Sequence, residues 1–205
     1  PSLNNKNKIE KGLKSIVKVI KYSILENLKL KWLIIYSAIM GVTTLSAAWL
    51  SQPFFKSIEI PIFYYGVLWA ALNFTAGISS YRSHKTEKKY NVNNLLMNLG
   101  FFMSVSFLLV YFLPNYLGLV FIFIIYYLRG IVSPILKNQI NLNTKSNIRA
   151  TVMSVRSFVL RISFAIIAPI LGLMADNKGI NDSFLLLSIL IIIFISISIF
   201  RLRKI

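Results

Sequence analysis

The sequence predicts an all-α membrane protein whose six transmembrane helices form one bundle, preceded by an amphipathic cytoplasmic helix. Hydrophobic residues make up 56% of the 205 residues and charged residues only 14%, against about a quarter in soluble domains. The chain divides into six apolar runs close to the ~20 residues that cross a bilayer, and none alternates with the period of two expected of a barrel strand. Lysines and arginines separate these runs. The net charge of +17 therefore does not form the basic face of a nucleic-acid-binding protein.

Residues 1–31 form a basic segment that carries eight lysines. Its apolar residues recur at spacings of three and four, which is typical of one face of a helix. They are Ile9, Leu13, Ile16, Val17, Ile20, Ile24 and Leu28. Two interpretations stay open: a helix that lies on an anionic membrane surface, and a linker that leads into the first span. Because the chain begins at Pro1 without a signal-peptide pattern, we expect it to belong to a longer protein.

Residues 32–205 are predicted to form the six-helix bundle. The spans are expected at about 32–52, 61–81, 94–114, 116–136, 150–175 and 183–200. Trp32 and Trp49 bracket the first span at positions that suit the two membrane interfaces. Pro61 opens the second span at a tolerated first-turn position, and Pro114 ends the third.

The charges in the loops predict the orientation of the bundle. Eighteen of the 23 lysines and arginines fall on one side, in the N-terminal segment, the second and fourth loops and the C-terminal tail, and only Lys56 and Lys178 fall on the other. By the positive-inside rule, the 18-charge side and both termini are cytoplasmic. The sequence therefore predicts a multi-pass protein of the cell membrane, inner or plasma, with the lipid bilayer as its surroundings.

Three arginines lie inside otherwise apolar spans, where a charge costs ~2.5 kcal/mol or more and normally faces protein or water. Arg129 lies ~20 Å below the start of its span, which is too deep for an easy reach to the outer surface. Arg156 lies near the cytoplasmic end, where its side chain is expected to snorkel to the surface. Arg161 lies nearer mid-depth, ~140° from Arg156 around the helix, so the two are not expected to face one cavity together. Arg129 and Arg161 are the candidate cavity residues.

Polar and aromatic side chains on two further spans are also candidates for a solute site. Thr43 and Thr44 lie in the first span, and Tyr65, Trp69 and Asn73 follow at spacings of four on one face of the second. Aromatic rings around a single amide are typical of the wall of a solute site. Hydrogen bonding between packed helices is the alternative explanation for all five.

The fourth span combines its arginine with two helix-weakening residues. Pro134 leaves the carbonyl of Gly130 without its helical donor, so a polar centre is expected beside Arg129. All the acidic residues lie outside the spans or at their outer ends; they are Glu10, Glu26, Glu59, Glu87, Asp176 and Asp182. The counter-charge for the arginines is therefore an anionic solute, carboxylates of a missing segment, or backbone carbonyls with water.

Parts of the sequence resemble bacterial efflux permeases of the major facilitator superfamily. Three runs of this sequence are similar to the tenth and eleventh helices of these permeases. The first run carries Arg129, Gly130 and Pro134, and the second carries Arg149, Ala150, Thr151 and Ser154. The third carries Pro169, Gly172 and Asp176. Residues 77–89, with Gly77 and Arg82, resemble the second copy of the family's glycine-rich basic loop, although the acidic residue of the better copy is absent. The resemblance covers nearly the whole chain and is to the C-terminal six-helix half of such a transporter.

The resemblance implies alternating access, in which two six-helix bundles rock about a central site. It implies a small solute and the missing N-terminal half as partners, and no cofactor. The family's cavity is lined by spans one, two, four and five, with three and six peripheral. Gly130 and Pro134 would let the fourth span bend, while Gly77, Arg82 and Arg149 would serve the cytoplasmic gate.

The leading functional hypothesis is therefore a secondary active transporter of a small solute. A non-transporting membrane scaffold or a lipid-binding half-bundle is the alternative. An intramembrane enzyme is not expected, because the single histidine, His84, lies in a loop and the two aspartates lie at the outer side. The sequence holds no cysteine, which excludes thiolate metal sites and cysteine nucleophiles.

Overall fold

The structure, a computed structural model, describes residues 16–203, which are almost entirely helical and contain no strand. Six helices in this range are long and apolar enough to cross a membrane, which confirms the predicted number. They are α1 (Leu28–Ser57), α2 (Tyr65–Lys89), α3 (Val92–Phe112), α4 (Tyr116–Leu142), α5 (Arg149–Lys178) and α6 (Ile180–Arg203). Short 3-10 turns at Ile62–Tyr64 and Ser146–Ile148 lead into α2 and α5.

Most of these helices extend beyond the predicted spans. The 30 residues of α5 are ~45 Å long, against ~30 Å for the hydrocarbon core of a bilayer. The segment from Arg82 to Lys89 contains neither Gly nor Pro, and α2 continues through it to Lys89. Hydropathy marks where a helix leaves the apolar layer, whereas the helix ends only where a cap or a breaker stops it.

The N-terminal segment differs from the predicted continuous helix. Residues 16–21 are helical and run into a π-helical turn at Tyr22–Glu26, but Asn27 is extended, with φ −99° and ψ 95°. Its side chain accepts a hydrogen bond from the backbone N–H of Leu30 at 3.0 Å and so caps α1. Ile9 and Leu13 lie outside the described residues. The predicted face therefore ends at Asn27, and Leu28 belongs to α1 rather than to the segment before it.

Helix α1 is the centre of the bundle and packs against α4, α5 and α6. Helix α3 packs against α4 and α6, whereas α2 packs mainly on α4. Large buried rings fill the core, among them Tyr36, Phe54, Phe107, Tyr126 and Phe184. Within an apolar 18-residue window of each helix, 61% of the window is buried in α1, but only 11% in α2 and 6% in α5. Helices α2 and α5 are therefore the outermost elements of this bundle.

Two sets of hydrogen bonds from buried hydroxyls connect neighbouring helices. The hydroxyls of Ser104 on α3 and Ser188 on α6 lie 2.9 Å apart, and each also donates to the other's backbone carbonyl. The hydroxyl of Tyr36 on α1 donates to the carbonyl of Leu96 on α3 at 2.7 Å. Because hydrocarbon offers no alternative partner, such contacts hold these helices in fixed register.

Candidate functional site

A cavity of about 500 Å³ lies between α1, α4 and α5. All its lining residues come from these three helices, and on each helix they recur at spacings of three and four, which is one helical face. The lining residues are Ser37, Met40, Gly41, Thr44 and Leu45 on α1, Arg129, Val132, Ser133, Leu136 and Lys137 on α4, and Arg156, Ser157, Leu160, Arg161 and Phe164 on α5. We call this space the basic cavity, because four of its lining residues are cations.

Arg129 is the middle residue of α4 and lies ~20 Å from each end of the helix. Its guanidinium carbon lies 5.4 Å from the centroid of the Tyr126 ring, within the range of a cation–π contact. Ser133 and Lys137 follow at steps of four residues and also line the basic cavity. The hydroxyl of Ser133 has no hydrogen-bond partner among residues 16–203. The cavity face of α4 is therefore a stripe of cation, free hydroxyl and cation.

Arg156 does not snorkel to the surface, contrary to the expectation from sequence. Its side chain is only 7% exposed, and its Nε donates to the hydroxyl oxygen of Ser37 on α1 at 2.5 Å. The two terminal nitrogens of the guanidinium make no hydrogen bond to any residue that the structure describes. The contact to Ser37 holds this arginine beside the cavity and leaves its remaining donors available.

Arg161 also lines the basic cavity, although its side chain is exposed at the rim. The expectation that Arg156 and Arg161 would not share one cavity is therefore wrong. Five residues separate them by ~7.5 Å along the helix axis, and a long side chain can bend round the helix from either position. The cavity runs along α5, with Arg156 on its buried wall and Arg161 on its open side.

The structure separates the two threonines that the sequence grouped together. Thr44 lines the basic cavity, and its hydroxyl donates to the carbonyl of Gly41 at 3.0 Å. Thr43 is buried, donates to the carbonyl of Met40, and lines a different, apolar space of about 200 Å³ between α1, α5 and α6. Adjacent helical residues point ~100° apart, so only one of the pair faces the cations.

The three candidate residues of α2 lie outside the basic cavity. Tyr65 packs its ring against Phe55, with 5.5 Å between the centroids. Asn73 is exposed and donates to the carbonyl of Trp69. Trp69 meets the edge of the Tyr126 ring at 6.3 Å, so it reaches Arg129 only through that tyrosine. Of the four spans that the family resemblance places around the cavity, α2 is the one that contributes no wall here.

The predicted hinge on α4 is a place of close packing. Helix α4 is continuous through Pro134. A Cβ atom at Gly130 would collide with the hydroxyl oxygen of Ser79 and the main-chain carbonyl of Ala76, both on α2. The absence of a side chain at Gly130 is therefore what lets α2 and α4 approach each other.

The predicted gate residues lie on the exterior. Gly77 and Arg82 are exposed on α2, and Arg149 is exposed at the first position of α5. At this end of the bundle the carboxylate of Glu87 accepts hydrogen bonds from the side-chain amides of Asn138 at 3.0 Å and Gln139 at 2.7 Å. That contact, which the sequence did not predict, ties the C-terminal end of α2 to α4.

A second cavity, of about 350 Å³, lies farther along the same seam between α1 and α5 and includes Ser46 and Asp176. Phe164 is the one residue that lines both cavities. Its ring lies 6.1 Å from that of Trp49, centroid to centroid. The aromatic side chain of Phe164 therefore stands between a basic compartment and an outer compartment that carries a carboxylate.

Sequence reasoning missed Lys137, the inward orientation of Arg156, and three lining hydroxyls. The steps of four from Arg129 to Lys137 were a signal that could have found the cavity face of α4. No comparable signal existed for Arg156. Within residues 16–203 no group of three or more His, Asp or Glu residues could hold a metal ion.

Comparison with known protein families, curated proteins and solved structures finds no match to this chain. The class of protein therefore follows from the fold and the site alone. It is an all-helical bundle with six helices of membrane-spanning length and composition, three of which line a cavity that carries four cations.

Proposed function

We propose that this bundle is one half of a secondary active transporter and that the basic cavity is its half of the solute site. The observation that carries this proposal is a cavity lined by four cations in an apolar bundle, with Arg129 at the middle of α4 and no carboxylate among the lining residues. A charge in such a position is costly, and membrane proteins retain it mainly on ion or solute pathways. A bundle that serves only as an anchor or a scaffold gains nothing that would offset the free-energy cost of these charges.

The outer face of α2 supports a second bundle as the partner. Gly66 and Gly77 on α2 are exposed, and nothing lies within 4 Å of the position that a Cβ would take. Small residues on an exposed membrane helix are typical of close helix–helix contacts. The resemblance to the C-terminal half of major facilitator transporters agrees with this arrangement in part: α1, α4 and α5 supply the cavity and α3 and α6 do not, but α2, which the resemblance places around the cavity, does not line it.

We further propose that the chain lies in the cell membrane with its lysine-rich ends in the cytoplasm. The C-terminal ends of α2, α4 and α6 carry Lys89, Lys137 and Arg203, and the N-terminal end of α1 carries Lys29 and Lys31. Successive helices alternate in direction across a bilayer, so these ends share one side. The positive-inside rule makes that side cytoplasmic.

Alternating access can be tested without knowing the solute by labelling a single introduced cysteine, since this chain contributes no cysteine and any in the other half can be replaced. The complete protein with Ser133→Cys is reconstituted in vesicles and treated with a membrane-impermeant thiol reagent on either side. Ser104→Cys is the matched control, since Ser104 is buried between α3 and α6. We expect Ser133→Cys to react from both sides and Ser104→Cys from neither.

Labelling of Ser133→Cys from one side only would contradict alternating access and favour the scaffold or lipid-binding alternative. Once a transported solute is identified, Arg129→Ala provides the second test. Unchanged transport by that variant would remove Arg129 from the mechanism.

A further inference from the structure

We infer, on the basis of the proposed transport function, that the basic cavity binds an organic anion with at least two negative charges, of the phosphate-ester type. The charge of the cavity indicates the charge of its ligand. Arg129, Lys137, Arg156 and Arg161 line it, and none of the carboxylates that the structure describes does. The bound species must therefore carry negative charge to offset these cations at membrane depth.

The described carboxylates have other positions. Glu87 accepts three hydrogen bonds from amides at the end of α4, and Glu26 lies 4.0 Å from Lys21. Asp176 lines the outer cavity, on the other side of Phe164. Within residues 16–203, no cation of the basic cavity is engaged in an ion pair.

The free N–H groups of Arg156 and Arg129 indicate which kind of anion fits the cavity. Arg156 uses only its Nε to contact Ser37, which fixes the guanidinium and leaves the paired terminal N–H groups free. Arg129 is held by its contact with the ring of Tyr126, a contact that consumes no hydrogen-bond donor. A guanidinium with a free fork of N–H groups suits the oxygens of a phosphate or carboxylate, which it binds in bidentate fashion.

Apolar side chains also line the basic cavity. Met40, Leu45, Leu160 and Phe164 face the same space as the cations, as do Val132 and Leu136. A cavity of about 500 Å³ is within the range of pockets for small organic ligands and far exceeds the size of an inorganic ion. The ligand is therefore organic, with an apolar or aromatic body beside its charged group.

The experiment uses the complete protein and follows thermal unfolding by tryptophan fluorescence. Phenyl phosphate is the probe for an organic dianion. Benzyl alcohol tests the aromatic group without a charge, and benzyltrimethylammonium tests it with a positive charge. Inorganic phosphate tests the anion without an organic group. We expect phenyl phosphate to raise the unfolding temperature most. We expect Arg129→Gln and Arg161→Gln to weaken its apparent affinity at least tenfold.

Lys178→Gln is the control for these variants, because Lys178 is an exposed cation in the last turn of α5 that does not line the cavity. Its affinity for phenyl phosphate should match that of the unaltered protein. Since the side chain of Arg161 is exposed, Arg161→Gln should unfold at the normal temperature without ligand. An unchanged affinity in Arg161→Gln and Arg129→Gln would overturn the assignment.

The remaining outcomes each decide a different point. Stabilisation by the ammonium probe, or by none of the probes, overturns the inference. Equal stabilisation by inorganic phosphate overturns the organic part of it. Lysophosphatidate tests a second source of the same chemistry, and its binding in place of phenyl phosphate would assign the cavity to a lipid headgroup.

Transport and anion binding can fail separately. Two-sided labelling of Ser133→Cys without stabilisation by phenyl phosphate keeps transport and overturns the anion. One-sided labelling with stabilisation keeps the anion site and overturns transport.

Discussion

Gly130→Ala distinguishes a spacer from a hinge at the centre of α4. The added methyl group would collide with the hydroxyl oxygen of Ser79 and the main-chain carbonyl of Ala76. Ser79 can rotate away, but the carbonyl belongs to the backbone of α2 and moves only if the helix does. Because α2 packs mainly on α4, we expect α2 to shift outward along this contact.

Two opposing contributions determine how much Gly130→Ala changes the free energy of unfolding. Replacing Gly by Ala inside a helix stabilises it by ~1 kcal/mol where there is room. Overpacking costs ~1 to 3 kcal/mol, and here one of the colliding atoms is main-chain. We therefore expect Gly130→Ala to lower the free energy of unfolding by ~1 kcal/mol net. Gly130→Leu should lower it by ~3 kcal/mol, because only the steric term grows.

Thermal unfolding of the detergent-solubilised protein measures this effect, with Gly66→Ala as the matched control. Gly66 lies in the first turn of α2, and nothing stands within 4 Å of its Cβ position. The control should be neutral or slightly stabilising. A hinge glycine would behave differently, since removing its backbone freedom stabilises a fold that the new residue can adopt. A higher unfolding temperature for Gly130→Ala would therefore refute the packing argument.

Three further predictions concern the contacts around the site. Glu87→Ala should lower the free energy of unfolding by ~1 to 3 kcal/mol, because two side-chain amides of α4 lose a charged acceptor; thermal unfolding measures it, and Glu87→Gln should lose less. Ser104→Ala and Ser188→Ala should each cost ~0.6 to 1.7 kcal/mol, and the double variant less than their sum, because the contact between the two hydroxyls is lost in either single variant and can be lost only once. Phe164→Ala should join the two cavities and increase the labelling rate of Ser46→Cys several-fold from the side of the bundle where Lys137 lies; an unchanged rate would show that the ring is not the barrier.

The number and order of the helices could be predicted from sequence, because ~20 apolar residues between charged loops have few other structures available. The position of Arg129 beside a polar space followed from the cost of a charge at that depth. Both predictions rest on the chemistry of single residues or runs, which needs no knowledge of neighbouring helices.

The rotation of each helix about its axis could not be predicted in the same way. The exposed face of α5 carries Ile162, Ile166 and Ile170, so it is as apolar as the face that packs on α1. Without a polar-to-apolar contrast, periodicity does not tell which side meets a neighbour. The sequence alone therefore favours a surface position for Arg156, although its Nε donates a hydrogen bond to the hydroxyl of Ser37 on α1. The capping role of Asn27 was missed for a related reason, because the apolar spacing continued across it.

The ring of Tyr126 is fully buried, with the indole of Trp69 at its edge and the guanidinium of Arg129 against it. Helix α2 is therefore connected through Tyr126 to the basic cavity, although no residue of α2 lines that cavity. If α2 carries Trp69 away from this position, we expect the ring of Tyr126 to lose one of its two neighbours, while the other, Arg129, lines the basic cavity.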